Sequence, residues 1–362
     1  MYIAVGIVGI IVVVGTFRDV VSTVVTTQRD RRWSAARRYF AITWRWYAHM
    51  ARRIDDPKRR ERFLVPYGPV SLVGLLAVWV GLLVFGWGLV WWGLQRHMEG
   101  IHSLDSATYF SGVTFLTIGY GDIVAEGGGS RILAVVEGLM GILTTALVIG
   151  LLPTLFGAYM RREAMLLTLD DLHDQVTPLG YLQRYTDGGN LGPLYAEFRS
   201  WDDWCADVYD SHSAYPVLLW FRSRQWGRSW SVGLGIVLEC ASYILAIIDQ
   251  PNHHEAQSLY RRAIMLLDTV RGHEHVKLPE PPEIPRERVE QQFRAVYDLL
   301  AGYGHPVRPF DEALEREHTL RADYVPVLYG LSEALLAPIE FRPNVRPIPV
   351  SFEPSTPSGG AA

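Results

Sequence analysis

The sequence contains few cysteines and few charged residues for a chain of 362 amino acids. Its two cysteines, Cys205 and Cys240, are too few for the disulfide framework of a small secreted domain. Charged residues account for only 20% of the chain, whereas hydrophobic residues account for 49%. The sequence also lacks a full dinucleotide-binding fingerprint, a cyclic-nucleotide fold and a calcium-binding loop. These absences give no support to a nucleotide-dependent enzyme or a calcium sensor.

The charges that are present are distributed unevenly along the chain. Residues 1–65 carry 13 Lys and Arg against 5 Asp and Glu, and residues 66–159 carry 2 against 5. Residues 160–362 carry 19 against 28. A basic beginning, an almost uncharged middle and an acidic end are not typical of one soluble globule. The pattern predicts an integral membrane protein with a soluble tail.

Three apolar segments are long enough to cross a bilayer, which requires about 20 residues in a helix. They cover residues 2–26, 70–94 and 132–159. The first lacks the basic start and the cleavage site of a signal peptide, so we expect it to be retained. Arg18 and Asp19 interrupt it, and ionisable residues inside a membrane usually pair or face the protein interior. The second segment ends in tryptophans that predict an aromatic belt at one membrane interface: Trp87, Trp91 and Trp92.

A fourth apolar stretch, residues 230–248, has about the length of a span but contains Glu239. It has no basic flank that fits the topology of the other three segments. We therefore expect it to form a buried helix of a soluble helical domain, with a membrane span as the alternative.

The basic residues of the connecting segments predict the orientation. The connection 28–62 holds 12 Lys and Arg, whereas the connection 95–131 holds only Arg96 and Arg131. Because basic connections stay on the cytoplasmic side, the N-terminus and the 95–131 connection should lie outside a plasma membrane and the rear domain in the cytoplasm. Aromatic residues interleave with the arginines of 28–62, which favours a helix on the inner membrane surface. These arginines do not recur at every third position of a span, as a voltage sensor would require.

The outer connection is the most informative segment, and it reads HSLDSATYFSGVTFLTIGYGDIVAEGGGS over residues 102–130. Its residues 117–122, TIGYGD, lie between two apolar segments and resemble the pore loop of the potassium channel family. Ile118 stands where the TVGYG filter of that family has valine, and it keeps the β-branch. The resemblance covers about residues 68–160. The sequence DVVST, beginning at Asp19, is similar to a bacterial group in which one extra span leads the chain.

The filter motif has a physical reason. A bare potassium ion needs about eight oxygen ligands in place of its water shell, and stacked rings of backbone carbonyls supply them. Successive carbonyls point the same way only with backbone angles that glycine adopts readily, hence Gly119 and Gly121. The expected K+ ligands are the Thr117 hydroxyl and the carbonyl groups of four residues: Thr117, Ile118, Gly119 and Tyr120.

A pore helix should precede the filter, from about Asp105 to Leu116. Asp105 is a good N-cap, and its charge would complement the positive end of the helix dipole. Ile118 and Tyr120 are expected to point away from the ions and to brace the filter against this helix.

Further residues are expected to support the filter. The resemblance implies that Tyr109 and Phe110 are bracing aromatic residues, and Tyr109 is placed to bond Asp122, which would attract cations at the outer mouth. Simple core packing of Tyr109 is the alternative. Glu137 is expected to lie hidden behind the filter, against one of two polar side chains of the pore helix: Ser111 or Thr114.

The third span contains a candidate hinge. Gly141 lies where the family's inner helix commonly bends, and Pro153 removes a backbone donor. Helical spacing then places Gly141, Thr145, Ile149 and Pro153 on a stripe that would line the pore. Close helix packing at the glycines is the alternative.

The sequence thus predicts an all-α membrane protein with three transmembrane helices, a re-entrant pore helix and filter, and an α-helical cytosolic domain. Apolar periodicity predicts cytosolic helices at 163–175, 190–222, 228–248, 255–271, 286–301 and 311–337. The expected divisions are an N-terminal transmembrane helix (1–27), a basic cytosolic or interfacial segment (28–65), a pore domain (66–160), a helical cytosolic domain (161–340) and a disordered tail (341–362).

The resemblance implies a homotetramer in the lipid bilayer that conducts K+ passively, since one filter per chain requires four chains to close a ring. It implies no enzymatic reaction, no cofactor besides the permeant K+ and no nucleic-acid partner. Two alternatives stay open: a weakly selective cation channel, and a membrane-anchored scaffold or signalling protein whose pore does not conduct. The sequence indicates neither the gating stimulus nor a ligand of the cytosolic domain.

Overall fold

The structure, a computed structural model, describes residues 2–24, 35–172, 177–186, 188–223, 229–251, 253–272 and 286–336. The predicted tail at 341–362 lies outside these residues. The described helices are α1 Tyr2–Val24, α2 Ala35–Ala51, α3 Pro57–Leu64, α4 Tyr67–Gly93, α5 Leu104–Phe115, α6 Gly128–Leu166, α7 Pro178–Tyr185, α8 Gly192–Ala214, α9 Trp230–Ile247, α10 His254–Arg271, α11 Arg286–Gly302 and α12 Phe310–Ala334. Within the described residues the strands are one short antiparallel pair, β1 Met98–Glu99 and β2 Val124–Ala125. The predicted all-α class is confirmed.

Four of the described helical stretches are long and apolar enough to span a membrane: Tyr2–Val24, Pro57–Gly93, Gly128–Leu169 and Trp230–Ile247. The first three correspond to the predicted spans. The fourth is different, because 94% of its most apolar window is buried inside the protein. Its apolar sequence is therefore explained by packing within the protein, as expected for a buried helix.

The described chain divides into two compact units. The first comprises 1–171 together with 203–226 and 265–275, and the second comprises 172–202, 227–264 and the residues from 276 onward. This division does not follow the expected boundary at residue 160, because three later stretches, 161–171, 203–226 and 265–275, belong to the first unit. The difference arises from contacts between residues far apart in the sequence, which apolar periodicity does not report.

Two predicted helices of the rear sequence have different limits in the structure. The expected helix 163–175 is in part the end of α6, which continues without a break to Leu166 before a 3₁₀ helix at Leu167–Leu172. The expected helix 190–222 ends at Ala214, and a 3₁₀ helix follows from Pro216 to Trp220. Proline at the start of that turn cannot donate the hydrogen bond that a continuing α-helix needs.

In the second unit, α9 packs against α7, α11 and α12. A buried charge cluster joins α9 to α12. Glu239 of α9 forms an ion pair with Arg321 of α12, and Arg321 also contacts Glu317 at 3.4 Å. Tyr243 donates a hydrogen bond of 3.0 Å to Glu239. One guanidinium therefore serves two carboxylates that are both shielded from water.

In the first unit, α1 and α4 approach each other very closely and run in opposite directions. A Cβ added to Gly9 would lie 2.6 Å from the carbonyl oxygen of Gly86, and one added to Gly93 would lie 2.9 Å from the Cα of Gly6. Small residues at such positions let two apolar helices make backbone contact, which is typical of helix packing in membranes. The leading helix is thus closely packed against the outer helix of the predicted pore domain.

Asp19 connects α1 to two other helices. Its carboxylate accepts hydrogen bonds from the backbone N–H groups of Ala35 and Ala36, both at 3.1 Å, and from the indole nitrogen of Trp79 at 3.0 Å. The N–H groups at the start of a helix have no partner within the helix. Asp19 therefore caps α2 from another helix, and the neighbouring Arg18 is exposed.

Helix α2 runs beside the first part of α4. Its Tyr39 hydroxyl occupies the space that a side chain at Gly74 would fill, and its Thr43 hydroxyl lies 3.0 Å from that of Tyr67. The cap at Asp19 places the start of α2 beside Trp79, about 18 Å along α4 from Tyr67 at 1.5 Å per residue. The prediction of a helix lying along the membrane surface is therefore wrong: α2 packs lengthwise on α4.

Candidate ion pore and selectivity filter

Helix α5 is the predicted pore helix, and it begins at Leu104. Its N-cap is Ser103, not Asp105 as predicted. The Ser103 side chain accepts a hydrogen bond from the backbone N–H of Ser106, and the Ser106 hydroxyl oxygen accepts one from the backbone N–H of Ser103. This reciprocal pair satisfies two N–H groups that the helix leaves free. Asp105 lies in the first turn and accepts a hydrogen bond from the Ser103 hydroxyl, so its charge still lies at the positive end of the helix dipole.

The chain reverses immediately after α5, and its backbone donors turn back toward the helix. The N–H of Thr117 bonds the carbonyl oxygen of Thr114 at 3.1 Å. The N–H groups of Ile118 and Gly119 share the carbonyl oxygen of Val113, at 2.8 and 3.3 Å. Consecutive N–H groups in the first half of the motif therefore point to the same side, toward the C-terminal end of α5.

The backbone of the motif has a positive φ at every second residue. The φ angles are +58° at Thr117, +68° at Gly119 and +78° at Gly121. A chain that alternates left-handed and ordinary angles directs its successive N–H groups to one side, and hence its carbonyls to the other. Because the N–H groups of residues 117–119 face α5, the carbonyl groups of the same peptide units, those of Leu116, Thr117 and Ile118, point away from the helix.

The left-handed backbone of Thr117 does not follow from its residue type. Glycine adopts positive φ readily, so the geometry of Gly119 and Gly121 was expected. For an L-residue the left-handed conformation costs roughly 1–2 kcal/mol, and nothing in the residue type of Thr117 indicates it. Strain of this kind is typical of functional sites, where the surrounding structure maintains it.

The aromatic residues near the motif have different environments. Tyr109 donates a hydrogen bond of 2.9 Å to Asp122, the pairing suggested by the sequence. Phe110 is buried and makes an edge-to-face contact with Trp91 at 5.1 Å. Ile118 and Tyr120, in contrast, are 49% and 69% exposed. The expectation that both brace the filter against the pore helix stays a prediction.

Glu137 of α6 is buried completely behind the motif. Ser111 of α5 donates a hydrogen bond to one of its oxygens at 2.5 Å, and Trp91 of α4 donates to the other at 2.6 Å. The position against Ser111 was predicted, but the contact with Trp91 was not. The sequence assigned Trp91 to an aromatic belt at the membrane interface, and this assignment gave no reason to expect a partner in α6. One carboxylate thus joins the three helices of the pore region.

The proposed stripe along α6 is only partly present. Gly141 is buried, and a Cβ there would overlap the carbonyl oxygen of Phe115 at the end of α5. Close helix packing, the alternative considered from the sequence, accounts for this glycine. Thr145, Ile149 and Pro153 are exposed. Helix α6 continues through both Gly141 and Pro153, so the expected hinge is not visible as a break.

Comparisons with known proteins agree with this geometry. Residues 77–157 match a family described as an ion channel. This match covers most of α4, all of α5, the TIGYGD motif and the greater part of α6. This part of the chain is similar to an ion channel domain.

The similarity extends beyond this ion channel domain. The chain is 22% identical over 230 residues to "Uncharacterized membrane protein YdjJ" of Bacillus subtilis (strain 168). The aligned region covers 60% of this chain and 67% of that protein. No solved structure matches the chain significantly.

Proposed function

We propose that the protein is a potassium-selective channel that conducts K+ passively across the plasma membrane. One observation carries the proposal: the N–H groups of residues 117–119 face α5, so that the carbonyl groups of residues 116–118 lie on the other side, and the alternating φ angles extend this pattern through Gly121. A row of carbonyl dipoles at fixed spacing can replace the hydration shell of K+ without a charged side chain. The permeant ion is the only ligand that this function requires.

The proposed ion sites are formed by Thr117, Ile118, Gly119 and Tyr120, with Gly121 completing the backbone geometry. Asp122 follows at the proposed outer mouth, where Tyr109 fixes its orientation. A carboxylate there raises the local concentration of cations before they enter. Helix α5 would direct its negative C-terminal end toward the ion pathway, which stabilises a cation inside the membrane.

A homotetramer is part of the proposal. One chain supplies one row of carbonyls, and a ring of ligands around an ion requires several rows. The exposure of Leu116, Ile118 and Tyr120, at 53%, 49% and 69%, supports this assembly. Large apolar side chains beside a rigid backbone segment would be covered if neighbouring subunits packed around a common axis.

The proposed orientation follows the distribution of charge. The connection 28–62 holds 12 Lys and Arg, which supports a cytoplasmic side for it and for the rear helices and an outer side for the N-terminus. In this arrangement α5 and the filter would enter from the outer face. The protein would catalyse no reaction.

Gly119→Ala tests the filter assignment. No other atom lies within 4 Å of a Cβ built at Gly119, so an alanine would act through its backbone conformation and not through a clash. The left-handed conformation would cost roughly 1–2 kcal/mol in each of four chains, and the ring of carbonyls should distort. We expect loss of K+ flux or of K+ selectivity in liposomes, with an intact tetramer by detergent sizing.

Gly129→Ala is the matched control. Gly129 has equally open surroundings, but it lies in the first turn of α6 and its φ is not positive. This variant should conduct like the wild type. Undiminished and selective K+ flux through the Gly119→Ala tetramer would refute the filter assignment. Conduction of Na+ equal to that of K+ by the wild type would favour the weakly selective channel, and a tetramer without any flux would favour the scaffold.

A further inference from the structure

The segment that precedes the pore helix pairs with the segment that follows the filter motif. Strands β1 and β2 are antiparallel, with Met98 opposite Ala125 and Glu99 opposite Val124. β1 ends shortly before the N-cap of α5, and β2 begins shortly after the TIGYGD motif. The strand pair therefore closes a loop that contains the whole pore helix and the whole motif.

The strand pair and the residues beside it are anchored in the core. Four apolar side chains belong to or pack against the buried cluster that α4 and α5 largely form: Met98, Ile101, Ile123 and Ala125. Met98 and Ile101 are buried in this cluster, and the other two are partly buried. Apolar contacts of this kind hold both strands of the pair against the helices. We call residues 98–101 and 123–125 the ribbon.

Gly100 contacts the residue that directly follows the filter motif. Its φ is +90°, which is a left-handed backbone conformation that glycine adopts readily and other residues do not. A Cβ added to Gly100 would lie 3.3 Å from Cγ1 of Ile123. The backbone of β1 is thus continued by a residue that lies close against the side chain at the exit of the filter.

The ribbon is the stronger of two contacts at this end of the motif. The other contact is the hydrogen bond of 2.9 Å from Tyr109 to Asp122, and it is exposed. An exposed hydrogen bond contributes little, because water replaces it at almost no cost, whereas buried apolar contacts have no such replacement. At the opposite end, the N–H of Gly119 is bonded to the carbonyl oxygen of Val113. The residues from Gly119 to Asp122 therefore lie between two fixed points.

We propose that the ribbon positions the outer K+ ligands of the filter, and that Gly100 and Ile123 are positioning residues. Gly121 has a φ of +78°, and a glycine is equally free to adopt other angles unless its neighbours restrain it. By fixing Ile123, the ribbon keeps the backbone of Gly121 in this conformation and so keeps the carbonyl group of Tyr120 in the row of ligands. The ribbon acts through the backbone and does not touch the ion. The inference rests on the proposed function, since it assigns what maintains the geometry of the filter.

Gly100→Ala is the first test, because alanine at a φ of +90° is strained and its Cβ would press on Ile123. This strain shifts the balance between a closed and an open ribbon by at least about fivefold in each chain. We expect the K+-to-Na+ permeability ratio, measured from reversal potentials in liposomes, to fall at least about fivefold. Gly127→Ala is the matched control: its φ is +82°, and the nearest atom, the hydroxyl oxygen of Ser130, lies 4.0 Å from the added Cβ. It should keep the wild-type ratio.

A disulfide across the ribbon makes the test reversible. Glu99 and Val124 lie opposite each other and are exposed, whereas the native cysteines are both buried. Opposite residues of antiparallel strands have Cα atoms about 4.5–5.5 Å apart, which a disulfide can span. Adding Glu99→Cys and Val124→Cys to Gly100→Ala should restore the wild-type ratio after oxidation, and a reductant should abolish this recovery. The same protein without Val124→Cys should not respond. Mass spectrometry after thiol blocking shows whether the disulfide has formed.

Hydrogen exchange in residues 117–122 separates this inference from the proposed function. Exchange there should be faster in Gly100→Ala than in Gly127→Ala and the wild type, in a conducting or a non-conducting protein. A wild type without K+ selectivity would refute the proposed function, whereas unaltered exchange in Gly100→Ala would refute the role of the ribbon alone. In a selective wild type, equal permeability ratios in the two alanine variants would also overturn the proposal. So would two thiols that fail to join, or a disulfide that forms without restoring the ratio.

Discussion

The indole nitrogen of Trp91 donates a hydrogen bond of 2.6 Å to the carboxylate of Glu137, and both side chains are completely buried. Ser111 donates to the other carboxylate oxygen, so three helices meet at one acidic group behind the TIGYGD motif. A buried carboxyl group without partners is very unfavourable. The contact therefore holds the pore helix in place only while both donors, Trp91 and Ser111, are present.

Glu137→Ala should disturb the pore helix, because it leaves the buried indole donor of Trp91 unpaired, whereas Ser111 keeps the carbonyl oxygen of Val84 as an acceptor at 2.9 Å. Unsatisfied buried donors cost about 1–3 kcal/mol each. We expect a lower Tm and a reduced K+ flux per tetramer, whereas Glu137→Gln, which keeps an acceptor oxygen, should be affected less. Glu126→Ala, at an exposed position, is the control. Equal Tm and flux in the Glu137→Ala and Glu126→Ala proteins would contradict this role.

Gly141→Ala should lower stability, since the new methyl group would overlap the carbonyl oxygen of Phe115. Overpacking of this kind typically costs about 1–3 kcal/mol. Gly150→Ala is the matched change in the same helix, where no atom lies within 4 Å of the added group. It should be neutral or slightly stabilising because alanine favours a helix more than glycine does. Thermal unfolding in detergent compares them, and a Gly141→Ala protein as stable as Gly150→Ala would show that the close contact is absent.

Arg162 and Arg161 are neighbours with opposite environments. Arg162 is completely buried, and its guanidinium donates hydrogen bonds to the carbonyls of Leu218 and Phe221 at 3.0 and 2.5 Å. Arg161 is 60% exposed in its ion pair with Asp207. Arg162→Gln should therefore destabilise the first unit by about 3–5 kcal/mol.

Arg161→Gln should cost at most about 1 kcal/mol, because exposed ion pairs contribute little. Urea unfolding of both proteins in detergent measures the difference. Losses of similar size would mean that the buried hydrogen bonds of Arg162 do not hold the end of α6.

Glu317 predicts a dependence of stability on pH. Burial, and secondarily the nearby negative charge of Glu239, raise the pKa of Glu317 to about 7, while Arg321 opposes the shift. A carboxyl group with a raised pKa binds its proton more tightly in the folded state. Its contribution to stability is therefore fully present below the unfolded pKa, is lost as the pH rises toward 7 and does not return above it.

Glu317→Gln should remove this loss, which is on the order of 3 kcal/mol. The variant should resist limited proteolysis of α12 better than the wild type at pH 8, and both should resist it about equally at pH 5. Glu315→Gln, on the exposed side of the same helix, is the control. A Glu317→Gln protein that tracks the wild type at both pH values would contradict the raised pKa.

Several features of the site follow from local sequence. The TIGYGD motif and its flanking apolar segments predict a helix, a turn and a second helix. The predicted positions of the pore helix and of the third span also make Ser111 a candidate partner of Glu137. The positive φ angles of Gly119 and Gly121 are predictable as well, because glycine adopts such angles more readily than other residues do. The predicted N-cap of α5 lies two residues after the observed one. Ser103 and Asp105 both suit that position, and only the hydrogen bond from the backbone N–H of Ser106 to Ser103 distinguishes them.

Other features depend on contacts between distant residues, which one sequence does not reveal. Asp19 reaches Ala35 and Trp79, and no local pattern connects an acidic residue of one helix with the start of another. The position of α2 on α4 depends on that cap. Without it, the arginines of α2 suggested a helix on the membrane surface instead. Gly141 has the same helical spacing as the other members of the predicted pore-lining stripe, and only the position of Phe115 shows that it serves close packing.

The reversal potential of the purified wild-type protein in liposomes tests the central claim most directly. With a tenfold K+ gradient and equal Na+ on both sides, a K+-selective pore should reverse near the equilibrium potential of K+. That potential is about 60 mV, from the 1.4 kcal/mol that corresponds to a tenfold ratio and about 2.3 kcal/mol per 100 mV. A reversal potential near zero, with a measurable current, would contradict selectivity by the carbonyl groups of residues 117–120.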